Sequence, residues 1–192
     1  MTDAPQAIEW STSQWFNADG PLTLAGLRGK VVMLHAFQML CPGCVSHGVP
    51  QAERVHHLFS RDDVAVVGLH TVFEHHAAMT PVALEAFLHE YRITHPVGVD
   101  AAVANEAIPQ TMRAYAMQGT PSLILIDRAG RMRLHEFGRM DDLRLGSLLG
   151  RLVTESVASA ETAQASNEHS RQVPAGCDDS GCGLPVRPRA HR

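Results

Sequence analysis

Two cysteines separated by two residues are the feature of this sequence that most clearly implies chemistry. They stand in Cys41-Pro42-Gly43-Cys44, shortly after the apolar, β-prone run Val31–Phe37. Residues 45–61, which follow, have apolar positions at the spacing of a helix. A buried strand that brings two thiols to the start of a helix suits redox chemistry, because the unpaired N–H groups and the dipole of the helix favour a thiolate there.

The order of the two cysteines predicts a division of roles. We expect Cys41 to be exposed at the tip of the helix and Cys44 to lie one turn inside it. Cys41 would then attack a disulfide and form a mixed disulfide, which Cys44 would resolve. Pro50 falls inside the predicted helix and is expected to kink it.

The rest of the chain up to about residue 156 alternates predicted strands and helices. An apolar strand follows the helix, and a strand–helix–strand unit of this kind predicts parallel strands with helices on both faces of the sheet. In the last helix, Leu143 is among the residues expected to face inward. The further predicted elements are a strand within 8–17, a strand over 64–69, a helix over 80–92, a strand over 96–100, a helix over 105–117 interrupted by Pro109, strands over 122–127 and 131–137, and a helix from Asp141 or Asp142 to about 156.

Composition narrows the class of protein. A chain of 192 residues with 45% hydrophobic residues can bury one ordinary core. A net charge of −4 gives no electrostatic reason to expect nucleic acid or an anionic membrane as a partner. The first residues show no basic segment followed by an apolar one, so we expect a soluble cytoplasmic protein. Four cysteines in such a protein indicate catalytic or metal-binding use.

Beyond residue 156 the composition of the sequence changes, and alanine, serine, glutamate, glycine and proline become frequent. We therefore predict a folded domain over 1–156 and a flexible tail over 157–192. The tail contains a second pair of cysteines, Cys177 and Cys182. Three interpretations of this pair stay open, namely a relay dithiol that exchanges with Cys41–Cys44, a metal-binding tail, and an incidental exposed pair.

Taken together with the order of elements, four stretches carry a family resemblance over about residues 8–156. The sequence resembles the thioredoxin superfamily, and within it the TlpA-like branch and its DipZ-like domains. The stretches are Leu24-Ala25-Gly26-Leu27-Arg28-Gly29-Lys30-Val31-Val32, Val66-Val67-Gly68-Leu69-His70-Thr71, Gly119-Thr120-Pro121-Ser122 and Asp127-Arg128-Ala129-Gly130-Arg131.

The resemblance implies a thioredoxin-like α/β fold, with a central mixed sheet between helices, and an enzyme of thiol–disulfide exchange. Cys41 would be the nucleophile and Cys44 the resolving thiol. Pro121 would be a cis-proline that holds Thr120, whose backbone would bond an extended substrate. The implied partners are a disulfide-containing protein or small thiol and an unidentified dithiol donor. We expect no cofactor and no metal, and a reductase rather than an oxidase, since the cytosol is reducing.

Three positions near the cysteines depart from the usual family pattern. His35 stands where classical thioredoxins have a buried acid, so it is a candidate acceptor for the Cys44 proton; a core histidine without a catalytic role is the alternative. Leu40 replaces the usual tryptophan. Pro50 comes one residue later than usual, so a local bulge at Gly48 is expected.

Other functions compete with thiol–disulfide exchange. A peroxidase of the peroxiredoxin type would need a threonine three residues before its reactive cysteine, and neither Gln38 nor Cys41 fits. The four cysteines could together bind zinc, or the chain could be a non-enzymatic redox-sensing or metal-binding module. The twelve histidines lack the spacing of a metal motif, and His56 is expected on a solvated helix face.

Overall fold

The central strand of the sheet is β2 (Val31–Phe37), and every one of its residues is buried. It pairs in parallel with β3 (Val64–His70) and antiparallel with β5 (Ser122–Ile126). Burial on both faces accounts for its nearly unbroken run of apolar residues. This arrangement is seen in a computed structural model, which describes residues 4–155 of the chain.

The remaining elements extend this centre to a six-stranded mixed sheet in the order β1-β4-β3-β2-β5-β6. Both outer pairs, β1 with β4 and β5 with β6, are antiparallel. The bounds of the remaining elements are β1 (Thr12–Phe16), α1 (Val49–Leu58), α2 (Pro81–Glu90), β4 (Val97–Asp100), α3 (Gln110–Ala114), β6 (Met132–Phe137) and α4 (Asp142–Thr154).

Alternate residues of β2 serve two separate cores. Val32 and Leu34 belong to a cluster that contains Met112 of α3, on one face of the sheet. Val31 and Met33 belong to a second cluster, on the opposite face because side chains alternate along a strand, and it contains Ala52 and Val55 of α1 with Leu145, Leu149 and Leu152 of α4. Helices thus cover both faces, and the predicted thioredoxin-like α/β architecture is confirmed.

The predicted helix over 105–117 is wrong in its first half, because only α3 is helical there. Asn105 has a φ of 61°, in the left-handed region, and Pro109 disfavours helical backbone in the residue before it. The helix instead starts after Pro109, where the buried carboxylate of Asp100 accepts the backbone N–H groups of Thr111 and Met112 at 2.8 and 3.0 Å.

The predicted inward position of Leu143 is also wrong, since this side chain is 85% exposed. Asp141 is the N-cap of α4, and its carboxylate accepts the N–H groups of Leu143 and Arg144, both at 3.0 Å. This cap fixes the start of the helix so that Leu145, Leu149 and Leu152 form the buried face. Leu143 lies two residues before Leu145, about 200° around the helix axis.

The predicted domain boundary after residue 156, the tail over 157–192 and the Cys177/Cys182 pair lie outside the described residues and stay predictions. Within residues 4–155, no helix is both long and apolar enough to cross a membrane.

Four buried histidines occupy the interior on the side of α1 and α2. His56 is one of them, so its predicted solvated position is wrong; it packs edge-on against His95. Among the described residues, neither ring nitrogen of His35 or of His70 has a hydrogen-bond partner. Burial lowers the pKa of His35 to about 3 and that of His70 to about 4, so both rings are neutral near pH 7.

These neutral rings predict a loss of stability in mild acid. The unfolded chain takes up a proton at each histidine below about pH 6.5, whereas the folded pKa is lower, so stability falls as the pH drops below 6.5. Between pH 7 and pH 5, each such histidine should cost about 2 kcal/mol of unfolding free energy. Urea unfolding of wild type and His70→Asn at both pH values measures this, and the loss should be about 2 kcal/mol smaller in the variant. Equal losses would contradict the assignment.

Candidate active site

The two cysteines of the Cys41-Pro42-Gly43-Cys44 motif differ sharply in exposure. Cys41 is partly exposed just beyond the end of β2, whereas Cys44 is fully buried. Cys44 packs with Phe37 and Val49 in a third apolar cluster between the sheet, α1 and α2. Both are free thiols. The expected arrangement, with one thiol at the surface and the other inside, is the one observed.

The sulfur of Cys41 lies between a backbone donor and a backbone acceptor. It accepts the N–H of Cys44 at 3.4 Å, and its thiol donates to the carbonyl oxygen of Thr120, also at 3.4 Å. Burial, together with the hydrogen bond to Cys41, raises the pKa of Cys44 to about 12. Cys44 is therefore held as a thiol near neutral pH, and the accessible sulfur of Cys41 is the one that can meet a substrate.

Thr120 and Pro121 lie directly against the cysteine motif, and the peptide bond between them is cis. A Cβ placed on Gly43 would come within 3.3 Å of Pro121 Cδ, so the motif and the proline approach closely. The carbonyl of Pro121 accepts the N–H of Gly138 at 2.8 Å, which joins this loop to the segment after β6. The predicted bonding of the Thr120 backbone to a substrate stays a prediction.

The helix after the cysteines starts with a π-helical turn, Cys44–Gly48, and becomes α-helical at Val49. A π turn accommodates one residue more than an α turn, which is how the additional residue before Pro50 is placed. Pro50 is the second residue of α1 and directly follows this π turn. The predicted bulge at Gly48 agrees with this turn, and the predicted kink at Pro50 stays a prediction.

His35 lies beneath the π turn, beside Pro121. A Cβ placed on Gly48 would collide with the Nε2 of His35 and come within 3.3 Å of the Cβ of Pro121. The ring of His35 stacks on Phe37, with the ring centroids 5.6 Å apart. Within this cluster, His35 and Pro121 together form the surface on which Gly48 rests.

The pKa order of His35 and Cys44 bears on proton transfer. With the pKa of His35 at about 3 and that of Cys44 at about 12, direct transfer in the reduced protein is uphill by on the order of 10 kcal/mol. His35 can accept this proton only in a state in which its pKa is no longer far below that of Cys44. Its predicted catalytic role stays a prediction.

Gln38 is a buried residue beside the site that sequence reasoning missed. Its buried side chain donates long hydrogen bonds of 3.4 Å to Thr120 Oγ1 and to Glu74, and it accepts the N–H of Phe73 at 3.3 Å. It thereby links the Thr120 loop to the loop after β3. The signal in the sequence was a single amide side chain at the end of an otherwise apolar strand.

Within residues 4–155, no group of three or more histidine, cysteine or acidic side chains is arranged to hold a metal ion. The four-cysteine zinc hypothesis also needs Cys177 and Cys182, which lie outside those residues.

A mixed sheet that places an exposed and a buried thiol at a helix start, opposite a cis-proline, defines a thiol–disulfide oxidoreductase of the thioredoxin-like type. Comparison with solved structures agrees. The chain is 58% identical to a thioredoxin-like superfamily protein, over 80% of this chain and 99% of that one, with a TM-score of 0.78. It is 50% identical to a thiol-disulfide isomerase from Corynebacterium glutamicum, over 81% and 100% of the two chains, with a TM-score of 0.77. The chain belongs to the thioredoxin-like superfamily.

Curated proteins show a more distant similarity. Protein DipZ of Mycobacterium tuberculosis is 26% identical over 155 residues, which are 80% of this chain and 21% of DipZ, in agreement with the DipZ-like resemblance. NHL repeat-containing protein 2 of Gallus gallus is 28% identical over 122 residues, 62% of this chain and 16% of that protein. The chain thus spans about a fifth or less of these curated relatives. No family model matches the chain.

The contact at Gly48 predicts a specific sensitivity. Gly48→Ala should lower the free energy of unfolding by about 1–3 kcal/mol, because the new methyl group must displace His35 or the π turn. The backbone at Gly48 is helical, with φ −62°, so alanine itself fits the backbone. Chemical denaturation measures the loss.

Gly146→Ala in α4 is the matched control, since a Cβ there meets nothing within 4 Å. It should be neutral or stabilising by up to about 1 kcal/mol. If Gly48→Ala is as well tolerated as the control, the close packing of Gly48 on His35 is refuted.

Proposed function

We propose that this protein is a disulfide reductase that uses Cys41–Cys44 as its dithiol. The observation that carries the proposal is the asymmetry of the pair. Cys41 is accessible and accepts an N–H bond at the helix start, whereas Cys44 is buried and its pKa is raised to about 12. A nucleophile and a protected resolving thiol need this difference.

The reaction follows in two exchanges. The Cys41 thiolate attacks one sulfur of the substrate disulfide, a Cys41–sulfur bond forms, the substrate S–S bond breaks and one substrate thiolate leaves. Cys44 then loses its proton and attacks Cys41, which releases the second substrate thiolate and leaves a Cys41–Cys44 disulfide. The two protons lost by the dithiol end on the two substrate thiols. A dithiol donor returns two electrons and two protons to the protein.

The proposed compartment is the cytoplasm, and it supports the reducing direction, because the glutathione and thioredoxin pools there keep dithiols reduced. The proposed partners are a disulfide-containing protein or small disulfide as substrate and a separate dithiol as donor. The identification of one similar protein as a thiol-disulfide isomerase supports exchange chemistry at this site.

Reduction of insulin by dithiothreitol tests the proposal. Wild type should accelerate it, and Cys41→Ser should lower the rate to the uncatalysed level because no attacking sulfur remains. Cys44→Ser should also lose turnover, and its reduced form, mixed with insulin without dithiothreitol, should accumulate a mixed disulfide between Cys41 and the substrate. Circular dichroism of both variants controls for folding.

Unchanged turnover in Cys41→Ser would refute the function. Peroxide consumption by wild type without insulin reduction would favour the peroxidase instead.

The tail pair enters the proposal as a relay. Cys177 or Cys182 would attack the oxidised Cys41–Cys44 pair, and the second tail thiol would complete the transfer, so that the tail carries the disulfide. A linker of about 20 residues can span tens of ångströms, which is long enough for the tail thiols to reach Cys41.

In the Cys44→Ser protein, mass spectrometry should find a Cys41–Cys177 or Cys41–Cys182 disulfide after mild oxidation. Absence of both would argue against the relay and leave the reductase function unaffected.

A further inference from the structure

A cavity of about 560 Å³, partly open to solvent, lies beside the π turn that follows the cysteine motif. Its volume is within the range of small-molecule sites, about 300–1,000 Å³. Polar and charged side chains dominate its lining. They come from the π turn, from α1 and from the start of α4, and they are Ser46, His47, Arg54, Arg139, Asp141 and Asp142.

Hydrogen bonds connect the walls of this cavity to the active site. Ser46 Oγ donates to the carbonyl of Pro42 in the cysteine motif at 2.7 Å. His47 Nε2 donates to the carbonyl of Met140 at 2.7 Å, so the π turn and the segment after β6 are held together. That segment also bonds the carbonyl of Pro121 through the N–H of Gly138 at 2.8 Å. A small molecule in the cavity therefore contacts the π turn after Cys44 and the segment that bonds the cis-proline loop.

One pair of charges lining the cavity is already matched. Asp142 accepts hydrogen bonds from Arg54 at 3.0 Å and from Gln51 at 2.6 Å, and these interactions lower the pKa of its carboxyl group. Arg54 and Asp142 are thus committed to each other and to the packing of α1 against α4. Their charges are therefore already balanced within the lining.

Two further charged groups line the cavity and are not matched in this way. Arg139 is exposed and has no hydrogen-bond or ion-pair partner within residues 4–155. Asp141 uses Oδ1 for both of its capping bonds, to the N–H groups of Leu143 and Arg144, so its Oδ2 has no partner among the same residues. As far as residues 4–155 show, the cavity therefore offers one free cation and one free carboxylate oxygen, which do not pair with each other.

We propose that this cavity binds the α-amino-acid end of a low-molecular-weight disulfide substrate. Arg139 binds its carboxylate, for which the guanidinium fork is suited, and Asp141 Oδ2 accepts from its ammonium group. A purely anionic ligand would be repelled by Asp141, and a purely cationic ligand would be repelled by Arg139. An ammonium and a carboxylate on one carbon are found on free amino-acid thiols and are absent from the interior of a polypeptide. The proposal rests on the reductase function and names its substrate class.

Four small disulfides test the two charges separately. Cystine carries both groups, 3,3′-dithiodipropionate carries only carboxylates, cystamine carries only ammonium groups, and hydroxyethyl disulfide carries neither. The kcat/KM of the full-length protein for each is measured with dithiothreitol as donor. Wild type should prefer cystine to hydroxyethyl disulfide, after correction for the uncatalysed rates.

Arg139→Gln should lower kcat/KM about tenfold or more for cystine and dithiodipropionate and leave the other two within about twofold, because a charged hydrogen bond is lost only where a carboxylate is present. Asp141→Asn should lower it for cystine and cystamine alone, since asparagine is also a good N-cap and keeps α4 intact. Arg151→Gln, a change at an exposed arginine near the far end of the same helix, is the matched control and should alter none of the four.

A uniform effect of Arg139→Gln on all four disulfides, or no effect on any, would overturn the subsite. A failure of the proposed reductase function would give a different result. In that case wild type reduces none of the four, nor insulin, above the uncatalysed rate. Reduction of hydroxyethyl disulfide without the charge-dependent pattern refutes the subsite alone.

Discussion

The chemistry of this protein depends on the unequal burial of two thiols that are three residues apart. Desolvation of Cys44 beneath the strand–helix junction disfavours its thiolate, while Cys41 stays open to solvent and accepts an N–H bond from the helix start. The fully buried strand β2 and the π turn that follows it create this difference. Any change that admits water to Cys44 should therefore weaken the division of roles between the attacking and the resolving thiol before it unfolds the protein.

The same junction is supported from below by histidine rather than by the acid found in classical thioredoxins. His35 packs under Gly48 and beside Pro121, and its low pKa keeps it uncharged in the apolar interior. Nearby, Glu53 supplies a half-buried carboxylate that bonds His95. Burial alone would raise the pKa of Glu53, but hydrogen bonds from His95 and from the backbone N–H groups of Thr94 and His95 lower it to about 2. Within residues 4–155 the interior thus combines neutral rings with well-bonded carboxylates, that of Glu53 here and that of Asp100 at the start of α3.

The sequence was sufficient for the architecture because its signals were local and strong. The apolar run of β2 and the Thr80 cap with Pro81 each determine one element with little help from the rest of the chain. The failures at His56 and at residues 105–108 depend on a partner distant in sequence and on a single left-handed residue, and neither is visible in periodicity. The failure at Leu143 is local, because the Asp141 cap sets which side chains of α4 face the core. The cysteine pair was visible in the sequence, whereas the cavity around Arg139 requires α1, α4 and the π turn to be placed together.

The most direct test of the account is the alkylation rate of each cysteine in the fully reduced protein at pH 7. Iodoacetamide labelling followed by peptide mass spectrometry resolves Cys41 from Cys44 in one experiment. The account predicts that Cys41 is modified roughly 100-fold or more faster than Cys44, since only thiolates react and Cys44 is both buried and protonated. Equal rates, or faster modification of Cys44, would contradict the division of roles on which the proposed mechanism rests.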